Sequence, residues 1–146
     1  VIRVALPEDV EPVAAAIPAA GVRELAEVYG MTPAQAVANN FAQSVGHRWT
    51  MWAADVPLAM FGVMPLGVLG GIGEFYITGT THICAHRFAF ARMCKRFLPE
   101  LLAHWTELRG ALEHDRADVV KWADWLGVKR QRISDRISLM VLSESS

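Results

Sequence analysis

Cysteine is almost absent from this chain, and the two present argue against a disulfide scaffold. Cys84 and Cys94 fall in one predicted helix, ten residues apart. That spacing separates them by about 15 Å along a helix axis, beyond the reach of a disulfide. A reducing, intracellular compartment is the expectation. Lysine is scarce too, three against eleven arginines, and the formal net charge is −1. A balance so near zero gives no bulk drive toward nucleic acid or an anionic membrane. One uncharged run calls for a membrane test, residues 56–73, which contain five glycines and two prolines. Such a run suits strands and turns better than a spanning helix, so no membrane insertion is expected. Residues 1–6 alternate as a strand would and do not read as a leader. No internal repeat or low-complexity stretch occurs.

What is present suits a folded core. A hydrophobic content of 53% with 20% charged residues excludes wholesale disorder. The length fits a single domain, here residues 1–142, with a short fraying tail at 143–146. Ile2, Val4 and Leu6 predict a first strand. Pro7, Glu8 and Asp9 then open a helix running to Ile17, with proline and acids in its first turn. A second short helix reaches Tyr29 before Gly30. Thr32-Pro33-Ala34-Gln35 is a capping box that starts a third helix, ending near Ser44. Residues 47–53 and 57–64 predict paired strands around a turn at Ala54-Asp55. A glycine-rich connection at 67–73 leads into a fourth strand at 74–78.

The longest predicted helix covers residues 82–105. Ile83, Phe90, Cys94, Phe97 and Leu101 form its buried stripe, Arg92, Lys95 and Arg96 its wet side, and Pro99 its interruption. A strand at 106–113 follows. Residues 114–128 then read as a helix with Asp115 as N-cap, Val119, Trp122, Ala123 and Leu126 as core face, and Gly127 as C-cap. Two final strands, 128–134 and 136–142, meet at Asp135. The fold class implied is α/β.

The strand–helix–Gly127–strand unit resembles the C-terminal half of the GNAT acyltransferase fold, whose helix ends in an aromatic-x-x-x-Gly-aromatic pattern. The element order matches that family over nearly the whole chain, implying a mixed β-sheet flanked by helices. Phe61-Gly62-Val63-x-Pro65-Leu66, Gly79-Thr80 and Trp122-x-x-Trp125-Leu126-Gly127 are similar to small GNAT-like proteins of tailed phages, some of them internal virion or head-assembly proteins. The resemblance further implies that Trp122 or Trp125 is largely buried.

It also says where chemistry belongs. In the family, coenzyme A pyrophosphate rests on backbone N–H groups between the fourth strand and the next helix, in an Arg/Gln-x-x-Gly-x-Gly/Ala loop. Here that junction reads Ile77-Thr78-Gly79-Thr80-Thr81-His82-Ile83-Cys84-Ala85-His86-Arg87, with one glycine and no match. Gly79, Thr80 and Thr81 are the cofactor-binding candidates if coenzyme A binds; the other reading is a tight turn with a threonine N-cap. The family's general-acid tyrosine falls at Ala123 and the preceding asparagine at Arg116, and neither replacement can do that work. Glu74, entering the fourth strand, is the candidate general base, in competition with a simply solvated carboxylate.

Other constellations exclude more than they suggest. The glycines at 67, 70, 71 and 73 precede a strand, so no helix N-terminus points at a phosphate. His82 and His86 stand i, i+4 without a third ligand, and no metal site is expected. Lys129, Arg130 and Arg132 are interleaved with acids and lack stacking aromatics, so nucleic acid is not the expected ligand. Met51, Trp52, Met60, Met64 and Leu69 are either core or adaptable partner surface.

The expectation is a phage GNAT-fold protein that has lost catalysis, needs no cofactor, and acts through phage structural proteins in the virion or host cytoplasm. The alternative is an active acetyl-CoA-dependent N-acyltransferase with a divergent pyrophosphate loop. A host-directed binding module stands third.

Overall fold

The computed structural model describes residues 1–67, 71–113, 121, 124–125, 129–132 and 137–142. The chain divides into two compact units, Val1–Met64 with Tyr76–Phe90, and Pro65–Phe75 with Ala91–Ser146.

In the first unit, strand β1 (Ile2–Val4) lies antiparallel to β2 (Arg48–Ala53), and β2 antiparallel to β3 (Val56–Pro65). Beyond β3 comes β4 (Ile72–Gly79), whose last residues belong to this unit. The β2–β3 hairpin turns where expected, with Ala54 taking the left-handed conformation at φ 50°. A bulge shifts the register between Met51 and Trp52. Strand β3 is buried from Pro57 through Val63. A strand covered on both faces reads as an unbroken apolar run, which explains why residues 56–65 carry no charge. Trp49 faces Phe61 across the ladder, and their rings stack with centroids 5.7 Å apart.

Helices α1 (Val10–Ala15) and α3 (Pro33–Gln43) pack together over this strand layer. Ala5, Val13, Ala14, Val37 and Met60 form their shared core, with Val10, Ile17 and Phe41 against it. Burial of a Met60- or Val37-sized side chain contributes about 1.5–3 kcal/mol. The first turn is tied down by Asp9, whose Oδ2 accepts from the Leu6 amide at 2.9 Å and from Thr50 Oγ1 at 3.0 Å. Asp9 therefore links α1 to β2 besides favouring the helix start. Residues Pro7–Asp9 form a 3-10 turn, so the predicted first helix is shorter than read. The capping box at α3 is present: Gln35 N donates to Thr32 Oγ1 and Thr32 N to Gln35 Oε1. Between α1 and α3 lie α2 (Ala19–Glu24) and a π-helical turn, Leu25–Tyr29, closed by Gly30 at φ 62°.

In the second unit, the first residues of β4 run parallel to β5 (Glu107–Glu113), which is antiparallel to β7 (Ile137–Leu142); β7 pairs with β6 (Lys129–Arg132), also antiparallel. Parallel and antiparallel pairings together make the sheet mixed, and the class is α/β. Helix α4 (Arg87–Leu102) keeps Arg92, Lys95 and Arg96 exposed and buries Leu101, and Pro99 lies inside it.

Several expectations change. The predicted helix 82–105 is two elements, a 3-10 helix at Thr81–His86 followed by α4. Cys84 and Cys94 therefore lie in different elements; Cys84 is exposed, Cys94 half-buried, and no disulfide joins them. Met51 and Met60 are core, at 1% and 0% exposure, while Trp52 and Met64 are half-buried. Trp125 is 46% exposed with Lys95 Nζ 4.4 Å above its ring, so it is not the buried indole expected. Trp122, Leu69 and most of the 114–128 helix lie outside the described residues, as does the tail at 143–146. Among the described residues, no helix is long and apolar enough to cross a membrane.

Candidate functional site

The junction leaving β4 is where a phosphate cradle would have to form, and its geometry follows from one threonine. Thr80 is 3% exposed. Its Oγ1 donates toward Pro57 O at 2.6 Å and Leu58 O at 3.2 Å, and accepts from His82 N at 3.3 Å. The Thr80 amide donates to Leu58 O at 2.9 Å. These bonds fasten the end of β4 to the beginning of β3 and cap the 3-10 helix that starts at Thr81. Thr81 N donates to Ala16 O at 2.9 Å, and Ile83 N to Thr80 O at 3.3 Å.

Each amide from Thr80 through Ile83 thus has an acceptor within the protein. Anion binding at a helix start depends on N–H groups with no such acceptor. A pyrophosphate placed here would have to break existing hydrogen bonds, so the residues present do not fit one as they stand. At Gly79 a Cβ would meet Ile83 Cδ1 at 2.9 Å. That contact is with the far end of a flexible side chain, which can shift.

Gly79, Thr80 and Thr81 are consecutive and act as one structural junction. Glu74 is exposed on β4, five residues earlier, and its Cα is registered with Arg109 on β5. The Arg109 guanidinium is already paired with Glu107, Nε to Oε2 at 2.8 Å. Among the described residues the β4–β5 ladder covers Ile72↔Glu107 through Glu74↔Arg109. Arg116 and Ala123, where the family's asparagine and tyrosine would fall, lie outside the described residues. Among the described residues no group of three or more His, Cys, Asp or Glu converges on a metal position, and His82 and His86 gain no third ligand.

One part-buried polar cluster was not read from the sequence. The Tyr76 hydroxyl lies 2.8 Å from Ser44 Oγ, which donates to Asn40 O at 2.7 Å. With Ser44 donating to that carbonyl, Tyr76 is the donor between the two. Burial pushes the Tyr76 phenol above its ordinary pKa of 10.0, only partly offset by the Ser44 hydrogen bond and the Arg48 charge. Arg48 stands over the Phe41 ring, Cζ 3.6 Å from its centroid, and donates to Phe41 O at 2.5 Å. Gly62 leaves room for this arrangement: a Cβ there would stand 2.6 Å from His47 O and 2.7 Å from the Tyr76 hydroxyl. A glycine inside a strand marks such an approach, and Gly62 was the available signal. The relay ends on a backbone carbonyl and fastens α3 to β4.

No protein-family model matches this chain, and no curated protein matches it. Solved structures do. Spermidine N-acetyltransferase of Vibrio cholerae, in complex with CoA and spermine, superposes with a TM-score of 0.71 at 11% identity, over 99% of this chain and 95% of that one. A GNAT-family acetyltransferase of Bacillus anthracis gives 0.68 at 9% identity, over 99% and 95%. A Salmonella typhimurium acetyltransferase candidate solved with acetyl-CoA gives 0.66 at 12%, over 98% and 92%. The fold is that of the GNAT acetyltransferases. Identities this low carry the fold and leave activity to the site.

Proposed function

We propose that this chain is a catalytically silent GNAT-fold protein that works by contacts with other proteins, as an assembly factor or internal component of a tailed-phage particle. The silence is supported by one observation. The amides of Thr80, Thr81, His82 and Ile83, at the position where the family holds pyrophosphate, already have protein acceptors. The phage setting rests on the resemblance carried by Phe61-Gly62-Val63, Gly79-Thr80 and the Trp122–Gly127 run.

Calorimetric titration with coenzyme A tests the first part. No measurable heat is expected. Low-micromolar affinity that Gly79→Trp abolishes would overturn it. Mass spectrometry of purified particles and assembly intermediates tests the second part. Absence from both, with normal particle yield from a deletion phage, would remove it.

The second reading is an acetyl-CoA-dependent N-acyltransferase, favoured by the near-complete superposition on an enzyme solved with CoA and spermine. In that reading Gly79, Thr80 and Thr81 would reopen as the phosphate loop and Glu74 would take the proton from the acceptor amine. Glu74→Gln should then slow turnover; an unchanged rate would clear Glu74 of that role.

A further inference from the structure

The stretch Ala19–Tyr29 is helical throughout, α2 followed by the π turn, yet neither element contains a buried residue. Short helices are marginal on their own in water and depend on an apolar face covered by something else. Here Gly21, Glu24 and Leu25 are half-buried and form the inward side. The outward side is not the polar face such a helix ordinarily shows. Val22 is 37% exposed, Val28 65% and Tyr29 62%. The π turn, with its extra residue per turn, leaves Val28 and Tyr29 both exposed. Ala26 lies between them and Val22, also exposed.

Two charges flank this patch. Arg23 and Glu27 are exposed and stand i, i+4, the spacing at which opposite charges meet on a helix. Among the described residues neither has an ion-pair partner.

We infer that the outward face of Ala19–Tyr29 is a two-fold self-association surface whose occupant is the same face of a second copy of this chain. Its charge pattern selects that occupant. In an isologous contact, residue i meets j while j meets i. An antiparallel packing centred at the level of Leu25 sets Val22 of each copy against Val28 of the other, with Tyr29 one residue beyond. The same packing brings Arg23 of each copy to Glu27 of the other. One operation covers the apolar stripe and pairs both charges. A partner of uniform sign would leave one of the two facing its own charge. Ala26, the smallest residue of the face, lies next to the axis, where two helices approach most closely. The inference is independent of whether coenzyme A binds.

Sedimentation of the full chain over a range of concentrations tests it. The wild type should show a monomer–dimer equilibrium. Arg23→Glu and Glu27→Arg should each raise the dimer dissociation constant at least about tenfold, because each sets like charges together twice. Mixing the two variants is the decisive arm. A heterodimer of R23E with E27R regains an opposite-charge pair at both positions, so the mixture should associate where neither component does. Tyr29→Ser, which changes no charge, should weaken the dimer too. Both charged positions are exposed, and circular dichroism checks that each variant keeps the wild-type spectrum. A wild type that stays monomeric throughout, a dimer indifferent to R23E and E27R, or a mixture that fails to associate would each overturn the inference.

Discussion

The junction from Gly79 to Ile83 and the helical stretch Ala19–Tyr29 both belong to the first unit, and they are held in opposite ways. At the junction one buried threonine hydroxyl and four consecutive amides all have partners on β3, on Ala16 just past α1, or within the turn itself. In the helical stretch no side chain is buried, and the apolar residues at its C-terminal end face outward. The difference shows where this fold keeps a fixed shape and where it offers surface. A site that binds an anion needs donors left open, and the junction has none among Thr80–Ile83. A site that binds a partner needs apolar area left open, and the helical stretch has it. The amides that leave β4 are here tied to their own chain.

Substitutions that strike the scaffold should therefore cost stability steeply. The largest loss expected is from Gly62→Ala. Its Cβ would stand 2.6 Å from His47 O and 2.7 Å from the Tyr76 hydroxyl, and a backbone oxygen cannot swing away as a side chain can. Overpacking of this kind costs about 3 kcal/mol. Urea denaturation monitored by tryptophan fluorescence measures it. A loss below about 1 kcal/mol would mean that β2 and β3 separate easily and that the scaffold is looser than its contacts indicate.

Thr80→Val comes next. Valine keeps the shape and removes the hydroxyl, leaving Pro57 O without its donor and His82 N without its acceptor. A buried polar group left unpaired costs about 1–3 kcal/mol, so a loss near 2 kcal/mol by the same denaturation is expected. The sharper readout is coenzyme A titration of this variant. Because Thr80, Thr81 and Ile83 keep their own acceptors, removing the hydroxyl should not create affinity. If Thr80→Val bound coenzyme A, the junction would be a latched cofactor site and the comparison with Ala19–Tyr29 would fail.

The sequence made part of this legible. The Thr32-Gln35 capping box, the β2–β3 turn at Ala54-Asp55, the apolar run that became β3 and the Thr80 cap are local signals, each set by neighbouring residues. The break at Arg87 between the 3-10 helix and α4 was not legible, because His82 through Arg96 contains neither proline nor glycine to announce it. What shortens the first turns is Thr80, fixed to β3 residues 22 and 23 positions earlier. The π turn at Leu25–Tyr29 was equally hidden, since its residues are ordinary helix formers. For the candidate site the lesson is similar. Absence of the glycine pattern was visible in Gly79–Arg87, but what replaced it depends on Leu58 and Ala16, distant partners that composition cannot supply. The Tyr76–Ser44 contact spans 32 positions, and Gly62 was its single sequence trace.

Tyr76→Phe probes the scaffold more gently, with about 1 kcal/mol expected from the lost hydrogen bond to Ser44. It carries a pH signature as well. Burial raises the folded-state phenol above its unfolded value of 10.0, so the folded state holds this proton more tightly. The resulting contribution is fully present below the unfolded pKa and is lost as pH rises through the folded one. Wild-type stability should fall above about pH 10, and Tyr76→Phe should flatten that fall. An identical alkaline slope in both proteins would place the tyrosine hydroxyl in contact with solvent.

The smallest effect should come from the other side of the comparison. Val28→Ser, at a position 65% exposed on the π turn, removes apolar surface that the monomer does not bury. Surface substitutions away from caps, cores and hydrogen-bond networks stay within about 0.5 kcal/mol, and this one should too. The measurement has to be made at a concentration where the wild type is monomeric, because any self-association would stabilise the folded state by mass action. Raising the protein concentration should then separate the two proteins: the wild-type midpoint should climb and that of Val28→Ser should climb less. A loss above about 1 kcal/mol in the dilute monomer would show that Val28 is anchored within its own chain. The helical stretch would then belong with the scaffold, and its exposed face would no longer stand apart from the junction.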